Sequence, residues 1–227
     1  MAKKKKKKVL KVKNICIILI ILLLIIVSGY YLITMPIKNI YIKKNSIISD
    51  DEIIESANLY NYPSFLLTRK SQLSKQIKKN KYIKSVKISK KIGNILEITI
   101  DEYKSIAITK EGKIIIETGK TLENTYNLSD IPILINEISD ENIYNNFSNK
   151  FSKINTNILR QISQIEYSPI EVDKDRFLLY MNDTNLVYIT LTKINKLNKY
   201  NKIKDVLEGK TGIIYLDSGN YVELKNS

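Results

Sequence analysis

Ile83-Lys84-Ser85-Val86-Lys87-Ile88-Ser89, followed by Gly93-Asn94 and then Ile95-Leu96-Glu97-Ile98-Thr99-Ile100-Asp101-Glu102, is the stretch that decides the fold. Apolar and polar residues alternate through both runs, the period of a strand with one buried face. Gly93-Asn94 between them suits the positive φ of a tight turn, so the two runs are expected to pair as a hairpin.

Upstream of this hairpin the pattern changes from a period of two to that of helices. Thr68 is expected to open a helix whose Leu73, Ile77 and Tyr82 edge faces inward, with Lys75, Lys78 and Lys79 outside. Its cationic last turn suits the helix dipole. Phe65, Leu66 and Leu67 just before it are expected to be core anchors. Ser49-Asp50-Asp51-Glu52 reads as a capping box for an earlier helix carrying Ile53, Ile54 and Ala57. Ile37 to Tyr41 alternates as a short strand. The order β-α-α-β-β over residues 36–105 predicts a compact α+β module with Ile40, Ile53, Leu66, Ile77, Val86, Ile88 and Ile98 in its core.

Ahead of the module, residues 15–34 contain no charge. As a helix they would span about 30 Å, the thickness of a bilayer's hydrocarbon core. Eight lysines precede them, Lys3 to Lys8, Lys11 and Lys13, against Lys38, Lys43 and Lys44 just beyond. That asymmetry places residues 1–14 in the cytoplasm as a basic tail, residues 15–35 across the plasma membrane and the rest outside, a single-pass type II arrangement. Tyr30 and Tyr31 fall where an aromatic belt meets the outer interface, and Pro36 ends the span. A cleaved signal peptide would have a shorter apolar run and small residues at the cut, which Tyr-Tyr-Leu-Ile-Thr-Met-Pro does not offer.

The net charge of +14, from 37 Lys+Arg and 23 Asp+Glu, gives no nucleic-acid signal. Without the eight tail lysines, 29 positive charges face 23 negative ones, and Lys outnumbers Arg 34 to 3. The tail sets topology and touches anionic lipid. The one cysteine, Cys16, lies in the span, so the outer part has no disulfide. Asn127, Asn146 and Asn182 begin Asn-x-Ser/Thr triplets, which chance explains in so Asn-rich a chain.

A β-α-α-β-β unit directly after a type II anchor resembles a POTRA domain, a protein-docking module, and its details resemble the FtsQ/DivIB family of bacterial cell-division proteins. The resemblance is carried by Ser49-Asp50-Asp51-Glu52-Ile53, Tyr82-Ile83-Lys84-Ser85-Val86-Lys87-Ile88, Leu96 to Glu102 and Ser105-Ile106-Ala107. One departure is Ile92-Gly93-Asn94, where the family's hairpin turn usually holds a proline.

The likeness continues through residues 106–227, expected to form an FtsQ/DivIB-type β domain with packed helices. Ile106 to Thr109 and Lys113 to Ile116 flank Glu111-Gly112 as a hairpin, and Ile131-Pro132-Ile133-Leu134 resembles a family strand. A helical stretch from about Asp140 to Gln161 leads to a strand at Ile162 to Tyr167. Phe177 to Tyr180 and Leu186 to Leu191 pair across Asn182 to Asn185. In Lys193 to Glu208, Ile194, Leu197, Tyr200, Ile203, Val206 and Leu207 form one helical face, with Gly209 ending it. Ile213 to Leu216 and Asn220 to Leu224 make a final hairpin.

Enzyme chemistry finds no support. The chain has no histidine, so His-based triads and most zinc sites are excluded. Gly119-Lys120-Thr121 and Gly209-Lys210-Thr211 match only the end of a P-loop and read as turns. Acidic pairs such as Asp50-Asp51 and Asp140-Glu141 sit at helix starts, where capping explains them. No catalytic residue, metal, cofactor or small-molecule substrate is expected.

Binding remains. Read on its residues alone, the last strand is either an ordinary core strand or an open edge for strand addition. The resemblance implies the second, since in FtsQ/DivIB proteins the end of the β domain receives an FtsB/DivIC-type partner, itself paired with an FtsL-type protein. The expected partner-binding residues are Tyr215, Ser218, Gly219, Asn220, Tyr221, Val222, Glu223 and Leu224. Val222 and Leu224 are expected to pack inward, Tyr221 to face a partner, and proline at 221 or 223 to block docking. The function so implied is a scaffold for divisome assembly at the division septum. The alternatives are another POTRA-bearing assembly protein, such as a sporulation protein, or an anchored cell-wall hydrolase.

Overall fold

Helix α1 spans Val12–Thr34, a 23-residue segment about 35 Å long at the usual rise, and its apolar side chains are exposed along its length. It is long and apolar enough to cross a membrane. The structure is a computed structural model describing residues 12–225, so the tail lysines Lys3 to Lys8 and Lys11 lie outside the described residues. The chain divides into two compact units, Met1–Asp101 and Glu102–Ser227.

In the first unit α1 is followed by β1 (Asn39–Lys43), α2 (Asp50–Ser56), α3 (Lys70–Ile77), β2 (Ile83–Lys91) and β3 (Ile95–Glu102). The three strands form one sheet in the order β1-β3-β2, with β1 parallel to β3. β2 and β3 turn at Gly93-Asn94, where both residues have positive φ, 89° and 60°. Along β3, Leu96, Ile98 and Ile100 are buried, the period of two read from the sequence. Ile53 from α2 and Leu73 and Ile77 from α3 complete this core. Ser49 caps α2 by accepting from the Glu52 amide at 3.2 Å. Glu52 also accepts from Asn80 Nδ2 at 2.9 Å, tying the two helical segments together.

Several expectations for this unit are corrected. α3 begins at Lys70 rather than Thr68, because Thr68 closes a tight turn on the Ser64 carbonyl. Phe65 is only half-buried, and Leu66 and Leu67 are exposed. That turn is held to the end of α1, away from the core under β3. Ile40, Val86 and Ile88 are half-buried rather than central.

The second unit holds β4 (Ser105–Ile108), β5 (Ile114–Ile116), β6 (Thr121–Leu122), β7 (Ile133–Leu134), α4 (Glu141–Phe151), α5 (Thr156–Leu159), β8 (Ile162–Tyr167), β9 (Arg176–Met181) and β10 (Leu186–Thr190). A 3-10 helix (Leu191–Lys199), α6 (Tyr200–Val206), β11 (Gly212–Tyr215) and β12 (Tyr221–Leu224) follow. Among the described residues these strands make a nine-stranded sheet in the order β12-β11-β10-β9-β8-β7-β4-β5-β6. Phe147 and Phe151, one turn apart on α4, pack on Phe177 of β9, with centroids 5.4 and 5.9 Å from its ring.

The single helix expected from Asp140 to Gln161 is two. Asp140 caps α4 through the Asn142 and Ile143 amides, but the chain leaves the helix after Phe151. Lys104 Nζ donates to the Ser152 and Ile154 carbonyls, and Asn198 accepts from the Asn155 amide and donates to the Lys153 carbonyl. These bonds satisfy the break.

The helix expected from Lys193 to Glu208 begins as a 3-10 helix. Leu191, Ile194, Leu197 and Tyr200 recur every three residues and all are buried, the repeat that a three-per-turn helix aligns. After Tyr200 the chain becomes α-helical, so Val206 rotates out of the stripe and is 80% exposed, while Leu207 stays buried.

Candidate partner-binding edge

β10, β11 and β12 build the end of the second sheet. β11 runs parallel to β10, joined to it by the 3-10 helix and α6. β12 folds back antiparallel on β11 through Leu216 to Asn220 and is the last strand among the described residues. The register pairs Tyr215 with Tyr221, Ile214 with Val222, Ile213 with Glu223 and Gly212 with Leu224.

One face of this ladder is aromatic. The Tyr188, Tyr215 and Tyr221 rings stack in series, with centroids 5.4 and 4.6 Å apart. The Arg176 guanidinium lies over Tyr188 at 3.7 Å, a cation–π contact that caps the stack. Arg176 Nε also donates to Asp217 Oδ2 at 2.7 Å, and both side chains are largely buried. Burial raises the Asp217 carboxyl, but Arg176 and the Ser218 amide and hydroxyl outweigh it and hold the pKa below the usual carboxylate value. Lys193 Nζ donates to the Asp217 carbonyl and Lys196 Nζ to Asn220 Oδ1, so the turn carrying Ser218, Gly219 and Asn220 is tied to the 3-10 helix. Tyr215 donates to Glu223 Oε2 at 3.1 Å. Partial desolvation and this carboxylate raise its phenol pKa.

The expected directions of the β12 side chains are half right. Tyr221 is 47% exposed, and Val222 packs on the core beside Ile214. Leu224 does not pack inward and is 50% exposed, because its cross-strand neighbour Gly212 has no side chain to receive it. Gly212 is required there by close approach: a Cβ would lie 2.4 Å from the Glu223 carbonyl oxygen.

The register also corrects the expected proline positions. The Lys225 amide donates to the Thr211 carbonyl at 2.9 Å, one step beyond the Gly212–Leu224 pair. Because antiparallel pairs alternate, Tyr221 and Glu223 point their backbone groups toward β11, and Val222 and Leu224 point theirs to the open edge. A proline at 221 or 223 would therefore break the hairpin instead of blocking an incoming strand.

Beside Val222, the core face opens into a groove of about 450 Å³ lined by Ile203, Val206, Leu216 and Val222 with Lys196 and Lys199 at its rim. Arg176, Tyr188 and this groove are absent from the sequence-derived site. Tyr188 sits in an alternating strand, which shows that it faces away from Val187. The pairing with β11 that sets it beside Tyr215 is not a local signal.

Residues 35–103 match the family model described as a POTRA domain, FtsQ-type. The chain is 30% identical over 194 residues to the cell division protein DivIB of Bacillus anthracis, covering 82% of this chain and 73% of that protein. It is 31% identical over 194 residues to DivIB of Bacillus cereus, covering 82% and 75%. With the extracytoplasmic domain of DivIB from Geobacillus stearothermophilus it shares 25% identity and a TM-score of 0.39, over 48% of this chain and 96% of that one.

Proposed function

The chain belongs to the FtsQ/DivIB family of bacterial cell-division proteins, which are not enzymes, and from that premise we propose that it is a bitopic scaffold that recruits other bitopic division proteins to the septum. In this reading α1 holds it in the plasma membrane with the N-terminus cytoplasmic. Residues 36–105 act as the POTRA domain and residues 106–227 as the β domain. The partner is an FtsB/DivIC-type protein, carrying an FtsL-type protein with it.

The observation that supports this reading is the free side of β12. It offers the backbone donors and acceptors of Val222 and Leu224 between a tyrosine stack that ends in the exposed Tyr221 and an apolar groove. An incoming strand would extend the sheet by main-chain bonds, and side chains on its two faces would meet Tyr221 and the groove. The full chain in lipid nanodiscs should bind the external segment of an FtsB/DivIC-type protein, and Tyr221→Ala should weaken that binding. Equal binding by wild type and by a variant carrying both Tyr221→Ala and Leu224→Pro would place the partner elsewhere.

A further inference from the structure

Two loops of the first unit are hydrogen-bonded to the residues where α1 leaves its apolar run. The Phe65 amide donates to the Met35 carbonyl at 2.8 Å, Ser64 Oγ donates to the Ile33 carbonyl, and the Ile37 amide donates to the Pro63 carbonyl at 3.0 Å. From the other side, Asn94 Nδ2 donates to the Pro36 carbonyl at 3.1 Å and the Lys38 amide donates to the Asn94 carbonyl at 2.9 Å. The turn at residues 62–68 and the β2–β3 turn are thus both held at the height of the helix end. Lys90, at the end of β2, ties one to the other by donating to the Phe65 and Leu66 carbonyls and lying 4.9 Å over the Phe65 ring.

These two loops carry large apolar side chains that the core of the unit leaves out. Leu66 is 56% exposed, Leu67 66%, Tyr62 51% and Ile92 100%. Arg69, Lys70 and Lys91 flank them and are exposed. Lys70 lies near enough to Lys90 to help lower its pKa, behind the larger effect of burial. Glu97, the first acid along β3, is engaged by Lys43 at 2.7 Å and also lies within the field of Lys91. Apolar side chains ringed by cations, fixed to the end of a membrane-length helix, have the chemistry of an interfacial anchor.

We propose that this end of the POTRA unit rests in the outer leaflet of an anionic bilayer, with Leu66, Leu67 and Ile92 below the headgroups and Lys70 and Lys91 on lipid phosphates. The proposal rests on α1 spanning the membrane. The sheet then stands on the bilayer at a fixed tilt instead of swinging on a linker. β3 rises away from Asn94, so Asp101 lies up to about 20 Å from the surface at the usual strand rise.

The chain contains no tryptophan, so single reporters can be introduced without background. The full chain is reconstituted in phosphatidylglycerol-containing vesicles with Leu67→Trp, Ile92→Trp, Asp101→Trp or Leu23→Trp, and quenching by brominated lipids is read. Leu67→Trp and Ile92→Trp should lose emission to shallow bromines, Leu23→Trp to deep ones, and Asp101→Trp to neither. If Leu23→Trp is quenched while Leu67→Trp or Ile92→Trp matches Asp101→Trp, the docked surface is refuted and the span stands. An unquenched Leu23→Trp overturns both. On the wild-type chain, a headgroup spin-labelled lipid should broaden the Leu67 and Ile92 amide resonances and spare that of Asp101. Sparing of all three refutes the proposal without any substitution.

Discussion

Tyr221 stacks on Tyr215 with ring centroids 4.6 Å apart and planes 12° from parallel, so the most exposed aromatic of the last hairpin packs one face of its ring on its cross-strand neighbour. A side chain already packed loses less freedom on binding, which is why such residues serve as hot spots.

Tyr221→Ala should therefore act mainly on binding. Loss of the stacked pair costs about 1 kcal/mol of stability, whereas truncating an aromatic anchor costs roughly 2 kcal/mol or more of binding. Titration of the partner's external segment into wild type and variant, beside their melting curves, checks this. A variant that melts far below wild type but binds equally well would show that the ring serves the fold alone.

Leu224→Pro should block strand addition while leaving the hairpin closed. Its amide faces the open edge, so the lost donor is one that β11 does not use. Glu223→Pro removes a donor aimed at β11 and should loosen β12 itself. Exchange of the Ile213 and Tyr215 amides, which face β12, separates the two: protection retained in the first variant and lost in the second.

Asp217→Asn should destabilise the second unit at neutral pH by about 3 kcal/mol, because it leaves Arg176 buried without its counter-charge. The Asp217 pKa is held below the unfolded value, so its contribution is full above the unfolded pKa, about 3.9, and is lost as pH falls through the lower folded value. The stability gap between wild type and Asp217→Asn should thus narrow only below about pH 4. Denaturant unfolding at several acid pH values tests it.

Phe147→Ala should cost about 3–5 kcal/mol, since its fully buried ring packs against both Phe151 and Phe177. A fall in the midpoint of the second unit's transition with no change in far-UV helix signal below it is the expected result.

Much of the α+β fold was legible locally. Alternation in Ile95 to Glu102, positive-φ residues at Gly93-Asn94 and the Ser49 cap depend on neighbours within a few residues, and each is where the sequence puts it. The 3-10 helix obeys a local rule too. Leu191, Ile194, Leu197 and Tyr200 repeat every three residues, not every 3.6. Leu66 and Leu67 are apolar yet exposed, because hydrophobicity alone does not say which surface covers a side chain.

By itself the sequence determined the uncharged 20-residue run behind its lysines, the β-α-α-β-β order, the absence of histidine chemistry and the hairpin within residues 213–224. Only the tertiary structure decided which β12 amides face outward, why Leu224 is exposed, and that Arg176, Tyr188, Tyr215 and Tyr221 form one stack. Those facts depend on β11 lying parallel to β10 across an intervening helix and on Gly212 standing opposite Leu224. Periodicity assigns a side chain to a face of its own strand, but which neighbour shares that face is set by pairing between segments far apart in the chain.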